Sequence, residues 1–359
     1  MLDLELMLDR LFIFNFSMHL VKYISIRILL IALLVVIANF LYRISFYKKD
    51  VAKHGDILEN LWVVPSDTEA IYFGESSNFH ESPGDTMKYR ISGIIDTMVP
   101  QLKVHHVDNS GLHAGTYLAV MKNIPKDSKV NIFIITMNLR SFGAGWRYAG
   151  NGAENYLAKT ERMLSPTLPI INRFMVSLKA YDYKSDHERE NQVHEAWQKD
   201  TFNIPEFDYH TTHSWDSAMA WETWLTSNPN LTKENIPIAA QYIKSFSFII
   251  DTNTNERIHD FDAIMELAKK RRYTIYFNIL GENVEEAEKL VGKKLIYLIE
   301  KNTQFLINRY SKKGAIVVNN LHAVPDSCFV DRDFPTEHYN FTGKRIIAKQ
   351  VADQIKRNL

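Results

Sequence analysis

Ala70-Ile71-Tyr72-Phe73-Gly74-Glu75-Ser76-Ser77-Asn78 is the stretch on which the fold of this chain turns. A short apolar run of aromatic and β-branched residues stops at a glycine, and two hydroxyls follow at once. Such a run reads as a strand buried on both faces. In open α/β sheets, ligands and reactive groups sit beyond the carboxyl ends of the strands, so Ser76 or Ser77 is presented at the expected edge. A serine becomes a useful nucleophile only beside a base. Taken alone, the segment reads more readily as a turn running into a helix cap.

Outward from this strand, further apolar runs alternate with helical patterns, the sign of a parallel α/β sheet. Strands are predicted at Ala70–Phe73, Leu102–Val107, Val130–Met137, Thr274–Ile279 and Ala315–Val318. Helices are predicted at Met87–Met98, Leu112–Met121, Phe261–Arg271, Val284–Arg309 and Thr342–Asn358. The fold class expected is α/β: a three-layer α/β/α sandwich around a mostly parallel five-stranded sheet. Residues 141–253, rich in Trp, Tyr, His and Asn, break the rhythm and are expected to form an inserted cap, since so long a connection usually carries function.

Near the N-terminus, Ile28–Tyr42 carries no charge, and the apolar stretch extends from Tyr23 to Phe46 with Arg27 and Arg43 as its charged residues. About 20 mostly apolar residues cross a bilayer as a helix. The flank after it, with Arg43, Lys48, Lys49 and Lys53, offers no small-residue cleavage site, so an uncleaved anchor is expected rather than a removed signal peptide. Basic residues flank both ends, and charge alone therefore orients the anchor poorly. The division expected is an N-terminal segment 1–22, an anchor 23–46, a linker 47–67, and a catalytic-type domain 68–359 that includes the cap.

Composition excludes some classes. The 42 basic and 42 acidic residues cancel, so no global field draws the chain to nucleic acid. Cys328 is the only cysteine, which rules out an internal disulfide and a multi-thiolate metal site. Asp208-Tyr-His210-Thr-Thr-His213-Ser-Trp-Asp216 has a His-x-x-His spacing, but nothing fixes a third ligand, and a polar cap loop with no metal is the expectation.

A second chemistry-bearing segment lies at the far end: Phe329-Val-Asp331-Arg-Asp333-Phe-Pro335-Thr-Glu337-His338-Tyr-Asn-Phe-Thr-Gly343, running into the last helix. His338 can reach back over the sheet edge to the first strand, and Asp331, Asp333 or Glu337 can orient its imidazole.

Together the two ends resemble the SGNH (GDSL-like) hydrolases. Gly74-Glu75-Ser76 is similar to their Gly-Asp-Ser block, and His338-Tyr-Asn-Phe-Thr-Gly343 to their last block. Between them, Asp108-Asn-Ser-Gly111-Leu-His-Ala-Gly115 resembles the glycine block, and Asn138 in Thr136-Met-Asn-Leu-Arg sits where the family places its oxyanion-binding asparagine. The resemblance covers about residues 68–359. It implies Ser76 as nucleophile, His338 as base, and an oxyanion hole made by the Ser76 amide, the Gly111 or Gly115 amide and the Asn138 side chain. The family's usual acid position, three before the histidine, is Pro335 here. The acid is then expected at Asp333, with Asp331 and Glu337 as alternatives.

The chemistry implied is acyl transfer through an acyl-enzyme, without a cofactor. An anchored domain of this kind is similar to DltD-like and alginate-acetylation-type proteins. That likeness implies action on ester-linked acyl groups of an envelope polysaccharide or lipid, outside the cytoplasm, beside a membrane-bound O-acyltransferase. The competing expectation is a non-catalytic binding or assembly subunit of such a machine.

Overall fold

A computed structural model of the chain describes residues 2–54, 57–58, 64–85, 87–148, 153–165, 167–199, 232 and 234–359. Strands β1 (Ala70–Gly74), β2 (Val104–Asp108), β3 (Ile132–Met137), β4 (Thr274–Ile279) and β5 (Ile316–Asn319) pair in parallel in the order β2-β1-β3-β4-β5. β1 and β3 are buried at every position, as central parallel strands covered on both faces must be.

Side chains alternate across the sheet and define two cores. Ile71, Phe73, Phe133, Ile135, Ile275 and Phe277 pack beneath helices Ala114–Lys122, Glu256–Arg271 and Lys293–Lys312. On the other face Ala70, Tyr72, Ile132, Ile134 and Tyr276 meet Ile91, Ile94 and Ile95 of helix Ile91–Met98, and Ile347, Val351 and Ile355 of helix Phe341–Asn358. The expected three-layer α/β/α sandwich with five parallel strands is what the chain adopts.

Several elements differ from expectation: the helix expected from Met87 begins at Ile91, and the one expected from Phe261 begins at Glu256. The stretch Val284–Arg309 is two helices, Val284–Leu290 and Lys293–Lys312, because Gly292 between them adopts φ +106°, a conformation that ends a right-handed helix and that glycine alone takes cheaply. The region expected as a cap carries, among its described residues, helices Ala144–Arg147, Ala153–Leu164, Pro169–Ser177, Asp186–Lys199 and Ile236–Phe246 together with irregular segments. The segment Asp208–Asp216, with His210 and His213, lies outside the described residues.

At the N-terminus a continuous helix runs from Leu2 to Ser45, and its 26-residue part Leu20–Ser45 is long and apolar enough to cross a membrane. Within residues 47–67, Tyr47–His54 is a packed helix: Val51 is fully buried, Tyr47 Oη donates to the Met163 carbonyl at 2.8 Å, and Arg173 pairs with Asp50 at 2.7 Å.

Ile347 is fully buried in the core shared by β1, β3 and the last helix, whereas Lys349 on the same helix is exposed. Ile347→Ala is expected to lower unfolding free energy by about 2–5 kcal/mol, and Lys349→Ala by less than about 0.5 kcal/mol, in denaturant titrations followed by circular dichroism.

Candidate active site

The sheet order puts a crevice between two particular strands. From β1 the chain moves to β2 on one side, then returns past β1 to place β3 on the other, so connections diverge at the carboxyl ends of β1 and β3. Ser76 follows β1 and Asn138 follows β3 at this point.

Local sequence shapes the turn that carries Ser76. A Cβ on Gly74 would lie 2.8 Å from the Tyr72 ring and 3.0 Å from Asn78 Cβ, so only glycine lets the chain fold back this tightly. Ser76 opens the short helix Ser76–Phe79. Asn78 pins that helix: its Oδ1 accepts from the Ser92 amide at 2.9 Å, and its Nδ2 donates to Ser92 Oγ at 3.1 Å and to Asp108. Arg90, part-exposed at the rim, donates to the buried Asp108 at 2.6 Å. Ser77, the neighbouring hydroxyl, is only 1% exposed.

His338 arrives from the opposite end of the chain on a loop fixed from both sides. Glu337 before it and Tyr339 after it are buried; Tyr339 Oη donates to the Gly281 carbonyl at 2.7 Å. The Val330 amide donates to the His338 carbonyl at 3.1 Å, and the Asn340 amide to the Cys328 carbonyl at 2.9 Å. Asn340 caps the last helix by accepting from the Gly343 amide at 3.1 Å, and a Cβ on Gly343 would stand 2.8 Å from Tyr339 Cβ. Alternation along Glu337-His338-Tyr339 thus turns the imidazole out toward the crevice. His338 Nε2 lies 2.8 Å from Ser76 Oγ, and its Nδ1 is hydrogen-bonded to Asp331 Oδ2.

The acid beside the histidine is therefore Asp331, seven residues before it, and the expectation of Asp333 is corrected. Pro335 and the turn around it carry Asp333 to the surface while Asp331 stays under the ring. Glu337, the other alternative, points inward to Arg140.

His80 also stands beside the pair. Its ring stacks on His338 with centroids 3.9 Å apart and planes 8° from parallel, and its Nε2 is 3.4 Å from Asp331 Oδ2. Burial, then the neighbouring His338, hold His80 below the usual imidazole pKa. His80, Asp331 and His338 place one ligand atom each within 4.8 Å of one another. Near-parallel rings aim their in-plane lone pairs side by side, not toward one centre as metal ligands must. The arrangement suits two imidazoles sharing a carboxylate.

Behind Ser76 lies a buried polar network that sequence reasoning treated only in pieces. Arg140, 6% exposed, forks onto Glu337 through Nε, at 2.6 Å, and Nη2. Asn138 Nδ2 donates to Glu75 Oε1 at 2.7 Å and to Glu337 Oε2 at 2.8 Å, while its Oδ1 accepts from the Arg140 amide at 2.9 Å. Glu282, 3% exposed, lies beside Glu337. Burial, reinforced by the charge of Glu337, pushes the Glu75 carboxyl up to about 8, against the opposing pull of Asn138 and Arg140. The same two causes raise Glu282 well above the carboxylate range.

This arrangement bears on the expected oxyanion donors. Both hydrogens of the Asn138 amide are committed to carboxyl groups, so it can turn to a reacting oxygen only by giving one up. The Gly115 amide donates to His113 Nδ1 at 3.2 Å inside helix Ala114–Lys122, and the residue is small because a Cβ would meet Asp260 at 2.9 Å and Leu157 at 3.0 Å. Gly111, with φ +73°, forms the turn after β2. Glu282 belongs to the network, and the helix cap at this strand end is Asn283, which accepts from the Glu286 amide at 3.2 Å.

A pocket of about 340 Å³ opens beside Arg140 and Phe334, closed by Trp146, Trp197 and Lys244 of the cap. The Arg140 guanidinium lies over the Trp146 ring at 5.0 Å and the Phe334 ring at 5.7 Å.

No protein-family model and no curated protein matches this sequence. Among solved structures, the chain is similar to a protein assigned as an arylesterase from Agrobacterium tumefaciens, at 8% identity and a TM-score of 0.37, covering 81% of this chain and all (100%) of that one. A lipase/acylhydrolase from Enterococcus faecalis is similar at 8% identity and a TM-score of 0.33, over 81% of this chain and 97% of that one. A catalytic mutant of an acetylxylan esterase from Geobacillus stearothermophilus follows at 10% identity and 0.34, over 81% and 95%.

The raised acids make stability depend on pH with a defined sign. A carboxyl with a folded-state value near 8 against an unfolded value near 4.3 contributes stability that is whole below about pH 4 and is lost as pH rises through about 8. The melting temperature is expected to fall over that window. Glu75→Gln, which keeps the acceptor for Asn138, is expected to flatten the decline in part, Glu282 supplying the remainder.

Proposed function

We propose that this chain is a membrane-anchored serine esterase or O-acyltransferase that acts on ester-linked acyl groups of a cell-envelope polysaccharide or related polymer. The observation that carries this reading is His338 Nε2 at 2.8 Å from Ser76 Oγ, with Nδ1 held by Asp331. A hydroxyl, a base and an orienting carboxylate in series are the parts that nucleophilic acyl transfer requires.

In this mechanism Ser76 Oγ attacks the ester carbonyl while its proton passes to His338 Nε2. Asp331 accepts from Nδ1–H and stabilises the imidazolium. The tetrahedral oxygen is held by the Ser76 and Gly111 amides, and Asn138 joins them by releasing a carboxyl partner. Donors of this kind are each worth about 3 kcal/mol in the transition state. Collapse expels the alcohol, which takes the proton from His338 and leaves an acyl group on Ser76. Water, or a sugar or polyol hydroxyl, then repeats the sequence in reverse.

The pocket between Arg140, Phe334 and the cap tryptophans, whose lining includes neither Ser76 nor His338, is read as a seat for the part of the substrate beyond the acyl group. The N-terminal helix supports the envelope setting, because tethering raises the local concentration of membrane-proximal substrate and of a membrane-bound O-acyltransferase partner. With the helix as an anchor, the catalytic domain faces the extracytoplasmic side.

Hydrolysis of p-nitrophenyl acetate by the full chain in detergent tests the reading. Wild type is expected to turn over; Ser76→Ala and His338→Ala are each expected to lose at least about 10⁴-fold in kcat, and the double variant to lose no more than either single one. Asp331→Asn is expected to lose about 10³-fold or more, with Asp333→Asn close to wild type. Equal losses at Asp331 and Asp333, or an inert wild type, would rule the assignment out, the latter favouring a non-catalytic assembly subunit.

A further inference from the structure

The cap carries an apolar face that no part of the described chain covers. Leu168, Ile171, Phe174 and Leu178 are 39%, 39%, 59% and 61% exposed and recur every three or four residues, along one side of the helix Pro169–Ser177 and just past its ends. The opposite side is occupied, with Pro169 and Val176 buried. A run of this kind on a monomer calls for a partner of matching character.

Its position says which partner. The Ile170 amide donates to Asn39 Oδ1 at 3.3 Å, and Arg173 Nε donates to Asp50 at 2.7 Å, a carboxylate that also accepts from Tyr42 Oη at 2.6 Å. Asn39 and Tyr42 belong to the apolar span Leu20–Ser45. A helix rises 1.5 Å per residue, so Asn39 lies about 9 Å inside the end of that span. Whatever is bonded to Asn39 is at the level where acyl chains meet head groups. Exposed basic residues Arg43, Lys48, Lys49, Lys53 and Lys179 gather around the same region, as contact with anionic lipid requires. Between the two helices a cleft of about 570 Å³ is lined by Phe46, Phe174, Lys49, Lys53 and the Arg173–Asp50 pair, apolar groups beside two lysines that this pair leaves unanswered within the lining.

We infer that the helix Pro169–Ser177 is a second membrane contact, lying in the interfacial plane of the bilayer with Leu168, Ile171, Phe174 and Leu178 in the acyl boundary. This rests on the reading of Leu20–Ser45 as a membrane-crossing anchor. A single anchor helix leaves the attached domain free to swivel. Two contacts fix its height and tilt, so the crevice holding Ser76 and His338 keeps one orientation toward the surface.

The test uses the full chain in vesicles of phosphatidylcholine and phosphatidylglycerol, with an environment-sensitive fluorophore on one introduced cysteine at a time. Unsubstituted protein, whose Cys328 is buried, corrects for background. Labels at Ile171→Cys, Phe174→Cys and Leu178→Cys are expected to emit at shorter wavelength, to be quenched by nitroxide placed high on the lipid acyl chain, and to be shielded from iodide. A label at Gln350→Cys, exposed on the last helix, is expected to show the reverse. Labels at residues 171 and 174 that behave like the one at 350 would overturn the inference. Shielding from both lipid nitroxide and iodide would also overturn it, by showing that protein covers the face. A label at Leu34→Cys, mid-span and 66% exposed, separates the two readings. Its quenching by deep nitroxide with no quenching at 174 removes the interfacial helix alone, and no quenching at 34 removes the anchor and the interfacial helix with it.

Discussion

A guanidinium sealed beneath the carboxyl edge of the sheet has to be answered by a carboxylate, and in this chain the answer is Glu337. Arg140 is 6% exposed and Glu337 2%, and leaving either without the other strands a charge at a cost of several kcal/mol. The pair is separated by nearly two hundred residues of sequence (|i−j| = 197) and welds the C-terminal loop to the end of β3. Because Glu337 points inward and Tyr339 points inward, His338 between them has only the crevice to face. The placement of the imidazole over Ser76 thus follows from an ion pair that touches neither.

The same burial acts on the acids behind the serine. Burial and the neighbouring Glu337 push the carboxyl of Glu75 up to about 8 and raise that of Glu282 well above the carboxylate range. Asn138 bridges Glu75 and Glu337, joining the residue that precedes Ser76 to the one that precedes His338. The two halves of the candidate site are hence coupled through a single amide. Its commitment to that bridge is the reason it is not poised as a free donor.

Much of this was readable from sequence where burial dictates pattern. β4 was predicted to the residue and the other strands within two, because strands buried on both faces leave unbroken apolar runs. Ser76 and His338, expected as a pair, come within hydrogen-bond distance because each adjoins a strand end or helix start with strict local demands, met by Gly74, Asn340 and Gly343. Which carboxylate meets the imidazole was not legible, since a loop bent at Pro335 decides which of Asp331 and Asp333 reaches the ring, and spacing carries no record of that bend. His80 escaped notice for a related reason: one turn of helix after Ser76 brings it over His338, a contact invisible until both ends of the chain are superposed. The cap helices were masked by a composition rich in Trp, Tyr, His and Asn that shows no strand alternation, and Gly292 hid a helix break inside a continuous amphipathic stretch.

The central claim is that Ser76, and not its neighbour, is the activated hydroxyl. The direct measurement is peptide-mapped mass spectrometry of the full chain after reaction with a fluorophosphonate, which phosphonylates only a serine whose proton a nearby base removes. The account predicts a single adduct on Ser76 that disappears in His338→Ala. An adduct on Ser77, whose hydroxyl is 1% exposed, or folded wild-type protein that takes up no label, would contradict it.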